Sequence, residues 1–325
     1  MTVVLTGSIA TDHLMQFRGR FADSILPESL HKLSVSFLVD DLVVRRGGVA
    51  ANIAFGMAQL GRRPVLVGAV GDDFADYRAW LDRHGVDTAS IHVSADAHTA
   101  RFTCTTDEDM NQIASFYPGA MREARDIELG PVAARLGGID LVVVSPNDPD
   151  AMLRHTDEAR ASGVPFVADP SQQLAFMGGE QLRALVDGAA YLVTNDYERD
   201  LLAAKTGWTQ ADIDRRVGVR LTTIGKDGVE IARTGEPTLT VPVVPEVQRT
   251  DPTGVGDAFR AGLLSALSVG LDLVPAARLG SLLATYTLET LGTQEYAVRR
   301  DDALARLADT YGRDAADELA PFLGG

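Results

Sequence analysis

Cysteine is nearly absent: Cys104 is the only one in 325 residues. No intramolecular disulfide can form, and such usage fits a reducing compartment, so a cytoplasmic location is expected. Basic residues are also scarce. Thirty Lys and Arg face 45 Asp and Glu, giving a formal net charge of −15 and a pI of about 4.8. So acidic a surface repels polynucleotides and anionic lipid, and neither is expected as a partner. The six histidines, at 13, 31, 84, 92, 98 and 155, show no HxH or HExxH spacing, and a lone cysteine allows no CxxC. A zinc or haem site is therefore not expected. No apolar stretch approaches a membrane span. The start, "MTVVLTGSIATDHLM", has no basic n-region and reads as a first strand rather than a signal peptide. No repeat, linker or low-complexity tract interrupts the chain. An acidic protein that handles phosphates must draw positive potential from backbone N–H groups or metal ions.

What is present is a rhythm of short β-branched runs followed by amphipathic helical patterns. "VVLTG" opens the chain, and "PVLVGAVG" (64–71), "IDLVVVS" (139–145), "VPFVADPS" (164–171) and "AYLVTN" (190–195) each precede a helical segment. Near-continuous apolar strands alternating with helices predict a mostly parallel sheet covered on both faces. Such sheets bind ligands beyond the carboxyl ends of their strands. Two stretches, 31–46 and 99–117, instead alternate apolar with polar residues, as antiparallel strands with one wet face do. They are expected to form a small sheet over the mouth of the main one. From about residue 257 the pattern is helical, with cladding helices at 300–323. The expected division is a large α/β domain over 1–11, 48–98 and 118–325, and a discontinuous lid over 12–47 and 99–117.

Two glycine-rich elements carry the chemistry. In "DPTGVGDAFRAG" (251–262) a helix starting near Val255 would leave unpaired N–H groups, and Gly254 and Gly256 would let an anion sit on them. Asp257 then falls in the first turn, facing that anion. The ordinary structural alternative makes Asp251 or Thr253 an N-cap and Asp257 a first-turn acid. In "RRGGVAANIAFGMAQLG" (45–61), Gly47 and Gly48 permit close backbone approach, and Asn52 offers both donor and acceptor. Each element alone is weak. Roughly 200 residues apart, they suit two halves of one cleft.

These elements resemble the signatures of the ribokinase or PfkB-type carbohydrate and nucleoside kinases, and the resemblance spans nearly the whole chain. "GGVAANIAFGMAQLG" and "VGAVGDDFADYRAWLDRHGVDT" (67–88) are similar to the N-terminal blocks, and "DPTGVGDAFRAGLL" (251–264) to the C-terminal one. Val255 departs from the usual small residue. "NDYE" (195–198) resembles the family's N-x-x-E element and "TIGKDG" (223–228) its nucleotide-phosphate turn. The resemblance implies a ribokinase-like three-layer α/β/α fold with a β-sheet lid, and ATP-dependent phosphoryl transfer to an alcohol. It implies Asp257 as base and the N–H groups of Gly254, Val255 and Gly256 as the anion hole. Asn195, Thr223, Gly225, Lys226, Gly228 and Gly256 would hold ATP, and Asn195 and Glu198 would organise Mg²⁺ through water. Asp251, Thr253 and carbonyls near Gly292 are candidates for K⁺. Without the family, "NDYE" reads equally well as a capping box; for "TIGKDG" the alternative is a hairpin turn, and its place just after the strand "VGVRLTT" favours the nucleotide role.

The acceptor needs its own argument. Ser8 and Asp12 lie just past the first strand, where a carboxylate can accept two hydrogen bonds from vicinal hydroxyls. With Gly48 and Asn52 opposite, a pentose would be clamped. Phe102 and Phe116 offer flat surfaces for a purine, though a lone strand Phe is ordinarily core. Gln172 and Gln173 offer amides matched to an adenine edge. The pattern across "SFLVDDL", "RFTCTT", "IASFYPGAM" and "ADPSQQLA" resembles the bacterial adenosine kinases, which implies Ser36, Phe102, Phe116, Gln172 and Gln173 as nucleoside contacts. The expected reaction is ATP plus adenosine to ADP plus AMP, by a homodimer paired through lid edges. A ribokinase- or fructokinase-type sugar kinase would share the catalytic residues. A non-catalytic nucleoside sensor would keep the fold. A Rossmann dehydrogenase is excluded because no G-x-G-x-x-G follows the first strand.

Overall fold

The computed structural model describes residues 1–25, 31–32 and 34–323. Positions 26–30 and 33 of the expected lid range, and the last two residues of the expected 118–325 segment, lie outside the described residues. The main sheet has eight strands in the order Leu239–Val241, Val229–Ala232, Val219–Thr223, Tyr191–Asn195, Phe166–Ala168, Leu141–Val144, Val3–Thr6 and Val65–Val67. The last six run parallel, and the first two add antiparallel strands at one edge.

The apolar runs are continuous because both faces are covered. In the first strand Val3 and Leu5 enter one core cluster, with residues of the helices Val49–Gln59, Val255–Leu267 and Leu273–Leu288. Val4 enters the other, with residues of Pro149–Ala161 and Gly179–Val186. Alternate side chains of one strand thus fill opposite layers. Each fully buried Leu or Val there stabilises the fold by roughly 1.5–3 kcal/mol. The expected helix at Val255 begins at Val255.

A separate four-stranded sheet has the order Asp41–Gly47, Ala10–Gln16, Ala100–Thr106 and Gln112–Tyr117. Its composition corrects the sequence reading in two respects. Residues 34–40 form no strand, so only Asp41–Gly47 of the 31–46 stretch joins the sheet. The two alternating stretches also do not pair with each other. Ala10–Gln16, which runs on almost directly from the first strand of the main sheet, lies between them, antiparallel to one and parallel to the other. Polar and small residues in "ATDHLMQ" hid this central strand.

Candidate active site

The floor of the cleft is the start of the Val255–Leu267 helix. Its N-cap, Gly254, sits at φ +77°, and a Cβ there would lie 2.7 Å from Thr293 Cγ2, so both conformation and space require glycine. No side chain caps the helix. Asp251 is therefore not an N-cap. Its carboxylate accepts from the N–H of Thr253 (2.9 Å) and of Gly292 (3.2 Å), which brings the three candidate K⁺ residues together. The Val255 N–H reaches the Pro252 carbonyl only at 3.4 Å.

Asp257 follows in the first turn, part-exposed, and accepts from Asn52 Nδ2 at 2.9 Å. Burial among protein atoms raises its carboxyl to about 7, against the opposing pull of the Asn52 hydrogen bond and the Arg260 charge. Asp169 and Glu198 push it the same way as burial. Asn52 itself is buried. Its Oδ1 accepts from Gln294 Nε2 (2.9 Å) and lies 3.0 Å from Thr293 Oγ1, so one Nδ2 proton remains for a ligand. Gly48, at φ +95°, leaves no room for a Cβ against the backbone of Ser8, Ile9 and Ala10, and Ser8 Oγ accepts from the Val49 N–H at 3.0 Å. Gly48 thus presses a helix start onto the chain leaving the first strand, and Gly47 makes room for the Asp12 carboxylate.

Beneath Asp257 lies an ion cluster that the sequence reading missed. Arg260 Nη2 is 2.7 Å from Asp169 Oδ1 and 4.0 Å from Glu198 Oε2. Asp169 is wholly buried and its carboxyl is raised to about 6 by burial, with Arg260 opposing. Asn147 Nδ2 and Thr194 Oγ1 are buried without hydrogen-bond partners among the described residues, and the buried Asp169 carboxylate has the Arg260 guanidinium as its ion-pair partner. They crowd the carboxyl ends of three adjacent strands, where a polar ligand or ordered water would satisfy them. The signal for Arg260 was present: it is the one charge in the apolar half of "DPTGVGDAFRAG".

Asn195 and Glu198 realise the capping box: Asn195 Oδ1 accepts from the Glu198 N–H (2.7 Å) and Glu198 Oε2 from the Asn195 N–H (2.8 Å). Glu198 retains its second oxygen. Residues 225–227 form a one-turn link between the antiparallel strands Val219–Thr223 and Val229–Ala232, with Gly225 and Gly228 both at positive φ and Lys226 exposed. The hairpin alternative for "TIGKDG" is thus also realised. Among the described residues, the group of three or more His, Cys, Asp and Glu side chains close enough to share an ion is the exposed Asp72, Asp73 and His98.

The lid sheet supplies the roof. Its register pairs Arg45 with Asp12, Asp12 with Phe102, and Phe102 with Phe116. Residues directly opposite share a face, so a carboxylate and two aromatic rings stand in one row. Arg45 Nη1 donates to the Leu291 carbonyl at 3.0 Å, which ties that row to the loop bearing Thr293 and Gln294. Asp12 accepts no hydrogen bond from the described residues, and burial raises its carboxyl to about 6 against the pull of Arg45. Gln173 Nε2 donates to the Asn147 carbonyl at 2.7 Å, while Gln172 is exposed beside it. Ser36 is exposed, in the irregular segment before the lid strand.

A mostly parallel sheet, a helix N-terminus bearing a part-exposed acid, and a separate small mixed sheet define the ribokinase-like class of α/β proteins. A model of the pfkB family carbohydrate kinases matches residues 10–299, and the chain belongs to that family. It is 34% identical over 272 residues to a nucleoside kinase of Methanothermobacter thermautotrophicus, covering 82% of this chain and 85% of that protein. The solved nucleoside kinase of Burkholderia thailandensis in complex with inosine superimposes with a TM-score of 0.83 at 35% identity, covering 96% of this chain and 99% of the other. The same kinase in its ADP–inosine complex gives a TM-score of 0.81 at 37% identity, covering 96% of each chain.

Proposed function

We propose that the protein is a Mg·ATP-dependent nucleoside kinase that phosphorylates the 5′-hydroxyl of adenosine. The observation that carries the reading is the lid row: Asp12, Phe102 and Phe116 share one face of a sheet tied through Arg45 to the loop at Leu291. A carboxylate with no donor among the described residues suits a ribose diol, and two cross-strand rings suit a purine. A bare sugar would use only the first. Relatives that are nucleoside kinases at a third identity favour the same class of acceptor.

In the proposed reaction Asp257 takes the proton of the 5′-hydroxyl as that oxygen attacks the γ-phosphorus of ATP. The new O–P bond forms while the bond to the β-phosphate oxygen breaks, and ADP leaves. A carboxyl raised to about 7 is well matched to accept a proton near neutrality. The N–H groups at 254–256 face the transferring phosphoryl group, where the helix dipole favours negative charge. Thr223, Gly225, Lys226 and Gly228 place the ATP phosphates, and Gln172 and Gln173 meet the purine edge. Mg²⁺, when bound with ATP, neutralises phosphate charge; oxygen donors from Glu198, with Asn195 and water, suit that hard ion. Asp251, Thr253 and the Gly292 carbonyl would form the K⁺ site beside them. Lid closure over the nucleoside would exclude water.

The lid's other face carries Leu42, Val44, Ile113 and Tyr117, between 46 and 58% exposed, beside unpaired strand edges. A second copy of the chain covering that face would explain them. Sedimentation should then report a dimer that Leu42→Asp dissociates; a wild-type monomer would end this part of the reading.

The test of the reaction is a panel of adenosine, inosine, ribose and fructose with Mg·ATP, followed by ADP release and product mass. Adenosine should be turned over best, yielding AMP. Fast turnover of ribose with none of a nucleoside would establish a sugar kinase, and binding without turnover a sensor.

A further inference from the structure

A hydrogen-bonded network of six groups runs from the protein interior to Asp257, and both of its far ends, the Trp80 indole and the Gly47 carbonyl, fix its direction. Trp80 Nε1 donates to Gln294 Oε1 at 3.1 Å. An indole N–H can only donate, so the carbonyl of the Gln294 amide must face it. Gln294 Nε2 then donates to Asn52 Oδ1 (2.9 Å) and to the Tyr77 hydroxyl (2.6 Å). Tyr77 has one proton, and it goes to the Gly47 carbonyl at 2.9 Å, so toward Gln294 the phenol can only accept. Indole and carbonyl thus impose the same orientation on Gln294 from two sides. The only arrangement left for Asn52 points Oδ1 at Gln294 and Nδ2 at Asp257 Oδ2, 2.9 Å away. The reverse amide would set Asn52 oxygen against carboxylate oxygen and Nδ2 against another N–H donor.

We propose that Gln294, held by Trp80, is a positioning residue that locks the Asn52 amide as a donor to Asp257. The proposal rests on Asp257 being the base of the phosphoryl transfer described above. Gln294 is 1% exposed and touches no part of the open cleft, so it acts through Asn52. Its own support is rigid. The Trp80 ring stacks near Phe55 (centroids 6.0 Å apart) and lies under the guanidinium groups of Arg46 at 4.1 Å and Arg83 at 4.6 Å. The chain joins four segments far apart in sequence: 47–52, 77–80, 257 and 293–294. A base whose carboxylate can rotate presents the wrong oxygen or lone pair to the hydroxyl for part of the time, and a fixed donor removes that freedom. Thr293 Oγ1, 3.0 Å from both Asn52 Oδ1 and the Arg46 carbonyl, backs the same oxygen.

The test compares Gln294→Met, Trp80→Phe, Asn52→Ala and Asn52→Ala/Gln294→Met by steady-state kinetics, using whichever acceptor of the panel the wild type turns over best. Gln294→Met should lower kcat about five- to tenfold with KM for acceptor and ATP within about twofold, the pattern of an interaction that matters in the transition state. Trp80→Phe keeps the ring, loses the donor and should lower kcat about twofold. In the Asn52→Ala background the Gln294 change should cost less than about twofold, because its effect passes through Asn52. Gln294→Glu preserves shape and supplies a second variant should the Met protein not fold. A carboxylate beside Asn52 draws Nδ2 away from Asp257, and kcat should fall at least as far. Wild-type kcat in the folded Gln294 variants overturns the proposal, as does an undiminished Gln294 effect when Asn52 is Ala. A panel in which only a sugar is turned over would instead overturn the nucleoside reading, with the positioning test unaffected.

Discussion

The cleft has a floor and a roof built on opposite principles. On the floor, Asn52, Asp169, Arg260 and Gln294 are each at most 6% exposed and are tied to one another or to Asp257. On the roof, Phe116 is 51% exposed, Asp12 accepts from no described protein donor, and the apolar face opposite lies open. The floor spends its polar capacity on holding one acid in place, whereas the roof keeps its capacity for a ligand. Chemistry should therefore fail when the floor is altered, and recognition when the roof is.

The largest effect is expected at the floor's centre. Asp257→Asn removes the proposed base and should lower kcat by roughly 10²–10⁴, leaving nucleoside affinity near wild type by calorimetry. Arg260→Met strands the wholly buried Asp169 without its counter-ion, which should cost on the order of 3 kcal/mol in denaturant unfolding. A change within error would mean that Asp169 simply protonates. On the roof, Phe102→Ala should raise KM for adenosine about tenfold, the scale of one base-stacking contact, with kcat and any slow ribose turnover little altered. An equal loss on ribose would assign Phe102 to lid packing.

The smallest effect is a shift in a pH profile. Asp257 must be ionised to accept a proton, and its folded-state carboxyl is raised to about 7. Then kcat/KM should rise through an acid limb near pH 7 and fall tenfold per unit below it. The Asn52 hydrogen bond lowers that value, so Asn52→Ala should move the limb to higher pH. A limb that stays in place would show that the hydrogen bond does not favour the ionised form.

The floor and the roof also differed in how far they could be read from the sequence. The parallel sheet was legible because strands buried on both faces must be apolar throughout, as in "LVVV" at 141–144. The helix start at Val255 was legible from two glycines and an acid. The central lid strand Ala10–Gln16 was not, since "ATDHLMQ" breaks alternation with Thr11, Asp12 and His13. The chain from Trp80 to Asp257 was equally hidden. Two directly bonded members, Asn52 and Gln294, are 242 positions apart, and nothing local marks a glutamine as buried. Arg260 does carry a local mark, a charge in an apolar helix.

The most direct measurement is AMP formation from adenosine and Mg·ATP by the wild type and Asp257→Asn side by side, with binding of adenosine measured on the same samples. The expected result is rapid AMP formation by the wild type, a loss of at least a hundredfold in the variant, and similar adenosine binding by both. AMP formation by the variant at near the wild-type rate, or none by a wild type that binds adenosine, would contradict it.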